Sequence, residues 1–195
     1  MNYQISKELI YFISKITGIC SIIYMLFFSQ ILYILYDSSA AFSLTLAIFL
    51  LGGLIGNYKK DKFVKIKNIF LITEFSLPIF SLVGTGLIFV TYLSNLPTFV
   101  NLIIASAVIF KIGFLSGLET HLIQKQNKSI DKSKIISFQL IGIIFGALLF
   151  SIVLIPLFGL LSILVIVGFL NLCIAATFVI YRDITPVSYT HLRAH

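Results

Sequence analysis

Charge is what this sequence has least of. Only 11% of its residues are Asp, Glu, Lys or Arg, against 59% hydrophobic, whereas soluble domains carry about a quarter charged residues. That shortage excludes a water-soluble globule and makes lipid the solvent of the fold. Cysteine is scarce too. Cys20 and Cys173 both fall inside apolar runs, with no C-x-x-C or Cys/His spacing, so a metal or redox pair is not expected and both are read as small apolar packing residues. A third absence is local. Six apolar stretches follow one another, and the turns around Asp37, Asn95 and Phe158 contain no Lys or Arg.

The cations collect on the alternate connections. Lys7 precedes the first stretch, and Lys59, Lys60, Lys62, Lys65 and Lys67 separate the second from the third. Lys125, Lys128, Lys132 and Lys134 separate the fourth from the fifth, and Arg182 follows the sixth. Basic residues in short loops stay cytoplasmic. The asymmetry therefore predicts an all-α, polytopic bundle of six transmembrane helices in the inner (plasma) membrane, with both termini cytoplasmic. The runs are continuous and lack the alternation of barrel strands, so helices are favoured. The net charge of +7 is accounted for by this flanking and by anionic lipid, and nucleic acid is not expected as a partner. The first apolar run is too long for a signal peptide and lacks a small-residue cleavage pattern, so it is read as an uncleaved span.

The predicted spans are 9–36, 41–58, 68–93, 98–123, 135–155 and 160–181. Pairs of glycines four apart mark the second (Gly52, Gly56), fourth (Gly113, Gly117) and fifth (Gly142, Gly146). Small residues at this spacing let helix backbones approach closely. These three spans are expected to be the tightly packed ones, and glycine faces of this kind leave pairing of whole copies open.

Ionisable groups inside spans are default functional candidates. Lys15, Glu74 and Glu119 each lie some six to eight residues from the cytoplasmic end of their helix, a common depth of about 10 Å, and are expected to meet as one charge-balanced cluster. Snorkelling of Lys15 and Glu74, or their pairing simply to neutralise one another and hold the helices in register, explains the same pattern. Pro78 has no N–H, which deprives the Glu74 carbonyl of its helical partner and predicts a kink there. Lys111 is deep in the fourth span; either it faces a polar cavity or it pairs with Glu119 or Glu74. Gln139 and Asn171 complete the candidate polar set. His121, near the inner interface, is expected to be solvated rather than a ligand or proton relay. Gly84-Thr85-Gly86 resembles the start of a dinucleotide loop but lacks a third glycine and a preceding strand. No cofactor, metal site or soluble catalytic site is expected in this chain.

Residues 18–24 (GICSIIY), Gln30 and residues 42–56 (FSLTLAIFLLGGLIG), then 114–122 (FLSGLETHL), 140–150 (LIGIIFGALLF), 155–161 (IPLFGLL) and Leu170-Asn171 form an ordered series. It resembles the membrane domain at the N-terminus of many bacterial spermidine synthases, the polyamine aminopropyltransferases. Glu74 also falls where that family tends to place a glutamate. Departures are Met25, where the family usually has Glu, His121 where it has Pro, and Gln139 where it has Asp. Glu119 is the glutamate the resemblance carries over.

The resemblance implies that the sixth span leads into a cytoplasmic Rossmann-like domain that transfers an aminopropyl group from decarboxylated S-adenosylmethionine to an amine. That domain is not in these residues. Residues 187–195 (VSYTHLRAH) look like translated sequencing adapter, so the expected organisation is a six-helix domain over 1–182 and a tail of linker remnant and non-native residues over 183–195. On this view the chain is a fragment, inactive without its catalytic partner. The rival expectation is one six-helix lobe of a major-facilitator-type carrier for a charged small molecule such as a polyamine or other amine. A plain scaffold for a soluble partner is the third.

Overall fold

The computed structural model describes residues 6–58, 69–126 and 131–184. Among them every regular element is helical: α1 (Lys7–Tyr36), α2 (Ala40–Tyr58), α3 (Ile69–Leu93), α4 (Thr98–Gln126), α5 (Lys132–Leu149), a π-helical turn (Phe150–Leu154), the short α6 (Ile155–Phe158) and α7 (Leu160–Ile184). Counting α5 to α6 as one run, six helices are long and apolar enough to cross a membrane. The lysine-rich connection 59–67 and Lys128 lie outside the described residues, as does the tail from 185 onward. The last helix reaches Ile184, past the domain boundary expected at 182.

Local chemistry sets the ends. Ser6 caps α1 by accepting the Leu9 N–H at 3.3 Å, and Asp131 caps α5 by accepting the Ser133 N–H at 2.9 Å, which satisfies donors that a helix start leaves unpaired. Each lysine-free turn contains one residue at positive φ: Asp37 (46°), Asn95 (53°) and Gly159 (70°). Asp, Asn and Gly are the residues that tolerate this region best. The fifth span does not stop near Pro156 but continues to Phe158. A proline ring clashes with the carbonyl four residues earlier. The π turn just before it, closed by the Ile155 N–H on the Phe150 carbonyl, is the kind of local widening that relieves such a clash.

The packing is compatible with a protein that crosses a membrane. Large apolar side chains on every span point outward, Phe12, Leu54, Val83, Phe99, Ile144 and Phe169 among them, while Glu74, Glu119, Asn101 and Asn171 are buried. Hydroxyls along the helices bond back to their own carbonyls, as Ser14 does to Ile10 and Thr85 to Ser81. That satisfies them without recourse to water.

Two intimate helix pairs form the frame. On α2 and α4, a Cβ at Gly52 or Gly56 would overlap the carbonyl of Phe110 or Phe114, and one at Gly113 or Gly117 would overlap that of Phe49 or Gly53. The backbones thus interlock along both glycine pairs. On α5, a Cβ at Gly142 would overlap the Lys15 carbonyl and one at Gly146 would crowd the Ile19 backbone, and Gly18 on α1 returns the contact at Gln139. The partner of the fifth span is thus α1, whose own glycine was not among the candidates. Helices α3 and α7 close the bundle, with α3 against α4 and both α3 and α1 against α7. Helix α1 is central and buried from Ile10 to Leu32 along its inner faces.

Candidate functional site

Four helices, α1, α3, α4 and α7, aim polar side chains at a common interior. From α1 come Ser14, Thr17, Ser21 and Tyr24, spaced three and four residues apart and all buried. Helix α3 supplies Glu74, Ser81 and Thr85, α4 supplies Ser116 and Glu119, and α7 supplies Asn171. Each set follows the helical period, so each forms one stripe on one face.

The carboxyl groups are the main feature. Glu74 is 0% and Glu119 2% exposed, and the two groups act on each other directly across the α3–α4 contact. Both oxygens of Glu74 are buried and have no hydrogen-bond donor. Ionised carboxylates are acceptors only, so nothing joins two of them unless a proton or a cation stands between their oxygens. Cys20 borders the pair.

Neighbouring contacts tie the helices around it. The Ser21 and Ser116 hydroxyls are 2.6 Å apart and link α1 to α4. Asn171 Nδ2 donates to the Tyr24 hydroxyl at 3.4 Å, linking α7 to α1, and Tyr24 also reaches the Ser81 hydroxyl of α3. Asn171 Oδ1 is buried without a donor. The interior therefore holds a surplus of acceptors: two carboxyls and an amide oxygen.

The structure separates the candidate lysines from the candidate glutamates. Lys15 is exposed, on the face of α1 away from the pair. Lys111 is exposed as well, with Nζ 5.3 Å from the Phe80 ring centroid and 5.7 Å from that of Phe114, a cation–π arrangement. Among the described residues no salt bridge joins either lysine to either glutamate, so the charge-balanced cluster does not form. A long flexible stem lets a lysine leave a helix surface outward; its sequence position does not say which way. Gln139 sits apart, its Nε2 2.6 Å from Thr120 Oγ1, at the α4–α5 boundary. His121 is 5% exposed and buried, which corrects the expectation of a solvated ring; Leu118 and Leu122 beside it belong to the same packed layer.

Tyr24, Ser21, Ser116 and Ser81 were not candidates. Their signal was available: hydroxyl residues recurring at helical spacing within an apolar run mark an inward face when the solvent is lipid.

The chain is 30% identical, over 179 residues, to a polyamine aminopropyltransferase of Oceanobacillus iheyensis, an alignment that covers 87% of this chain and 34% of the relative. This chain is similar to an aminopropyltransferase. It spans about a third of the length of that relative. No protein-family model matches the chain, and no solved structure does.

Proposed function

We propose that this chain is the membrane unit of a spermidine synthase-like aminopropyltransferase, a six-helix bundle in the inner membrane with both ends in the cytoplasm. In this role it holds a cytoplasmic domain, which does the aminopropyl transfer, against the bilayer, and it has no transferase activity by itself. The single observation that carries the proposal is the similarity to a polyamine aminopropyltransferase along 87% of the chain. The fold agrees in character, since the six helices turn apolar surface outward and bury Glu74, Glu119, Asn101 and Asn171. Sequencing the source DNA beyond codon 186 tests it. An in-frame Rossmann-like transferase domain is expected there; an unrelated frame overturns the proposal.

The carboxyl pair favours a second reading. Glu74 and Glu119, with Asn171 Oδ1 nearby in the bundle, make an interior rich in acceptors and free of lysine, which suits passage or sensing of a small cation such as an amine. In that reading the bundle is a carrier lobe of the secondary-transporter kind.

A further inference from the structure

At the lysine-free end of the bundle, well away from the carboxyl pair, the ends of α1 and α3 and the starts of α2 and α4 line a half-open cavity of about 930 Å³. That is within the range of small-molecule sites, about 300–1,000 Å³. Two of its lining residues hold buried polar atoms with no partner. Asn101 is 3% exposed; its Nδ2 donates to the Leu96 carbonyl at 3.2 Å, which fixes the amide orientation, and its Oδ1 has no donor. Tyr36 Oη is likewise buried and unpartnered. Groups left this way cost about 1–3 kcal/mol each unless something bonds to them. The wall thus has capacity for a ligand bearing N–H or O–H donors.

Charge narrows the class. Asp37 is the sole charged residue lining the cavity among the described residues, and it is exposed. Helix dipoles do not alter that balance. Two carboxyl-terminal ends, of α1 and α3, and two amino-terminal ends, of α2 and α4, open onto the same space, and their partial charges offset. A carboxylate with no cation beside it selects a positive ligand. The Tyr36 and Tyr92 rings, edge to face at 6.1 Å and 86°, add π faces that attract an organic cation. Leu32, Leu35 and Leu44 complete an apolar wall. A hydrated divalent metal ion would find a single carboxylate among the lining residues, too little charge to replace its water, and an anion would meet Asp37.

The geometry points to a binding site for a primary ammonium group on a short alkyl chain, with Asp37 pairing the charge, Asn101 Oδ1 accepting an N–H and the leucines covering the chain. It is independent of the transferase reading and of the buried glutamates. The ammonium is supplied either by a free alkylamine or by the headgroup of an ethanolamine lipid.

Saturation-transfer NMR on the full chain in phosphatidylcholine nanodiscs, with n-butylammonium as probe at neutral pH, tests it. Saturable binding is expected, with 1-butanol and butyrate competing at least tenfold less well. Asp37→Asn should weaken the probe about tenfold while keeping the turn, because Asn accepts the left-handed backbone as readily as Asp. Asn101→Leu should weaken it several-fold. Equal competition by 1-butanol, or unchanged affinity in Asp37→Asn, would overturn the site. Adding phosphatidylethanolamine decides the source. If the lipid fills the site, the probe's apparent affinity falls several-fold as that lipid increases; if it does not fall, the ligand is the free amine.

Discussion

Glu74 on α3 and Glu119 on α4 face each other inside the bundle, while the two lysines of the same helical tier and beyond, Lys15 and Lys111, point out of it. An acceptor pair without an internal cation has different consequences from a neutralised ion pair, and they divide cleanly by mutation.

Glu119→Gln keeps the shape of the side chain and removes the charge. If the interior handles an amine, uptake of radiolabelled putrescine into proteoliposomes holding the full-length protein should be lost in Glu119→Gln and kept within about twofold in Lys111→Met, since Lys111 lies outside the interior against the Phe80 and Phe114 rings. Uptake unchanged by Glu119→Gln would leave that residue a packing role.

The α2–α4 seam should be intolerant of a single methyl. Gly117→Ala puts a Cβ into the Gly53 carbonyl, whereas one at Gly86 meets nothing within 4 Å. Overpacking of this kind costs about 1–3 kcal/mol, while Gly→Ala in an open helical position gains about 0.5–1 kcal/mol. Unfolding titrations in mixed micelles should therefore shift in opposite directions for the two variants. A neutral Gly117→Ala would mean that the seam is looser than its backbone contacts indicate.

Ser21 and Ser116 give a smaller, well-defined test. Their 2.6 Å contact should appear as coupling in a double-mutant cycle of Ser21→Ala and Ser116→Ala, at about 0.6 kcal/mol, the average for hydrogen bonds between membrane helices. Strict additivity would deny the bond.

Orientation is accessible to labelling. In a background with Cys20 and Cys173 replaced by alanine, single cysteines at Ser39 and Asn95 should react with a membrane-impermeant maleimide added to intact cells, and cysteines at Lys62 and Lys128 only after permeabilisation. The reverse pattern would invert the topology.

Much of this was legible beforehand, for identifiable reasons. Apolar run length located all six long helices, and Asp37, Asn95 and Gly159 marked turns because few residues accept positive φ. The glycine pairs flagged α2, α4 and α5 as helices able to approach closely, but not their partners; nothing in Gly142 or Gly146 says that α1 lies opposite. Glu74 and Glu119 stood out as ionisable residues in apolar runs. The polar stripe of α1 through Ser21 and Tyr24 carries little signal in the sequence because hydroxyls are cheap enough to bury singly, and it gains meaning only with Ser116 and Asn171 in contact. The break at Pro156 was misplaced because a π turn can absorb what an α-helix cannot.

The amino-acid sequence by itself determined the number of long helices, the placement of the turns and the separation of cationic from uncharged connections, since hydropathy and loop charge act locally. Only the tertiary structure decided which faces meet: that Glu74 finds Glu119, that Lys15 and Lys111 turn outward, and that four helix ends line a half-open cavity beside Asp37. In lipid no hydrophobic drive distinguishes one apolar face from another. The choice falls to close fit at glycines and to a few polar contacts between residues far apart in the chain.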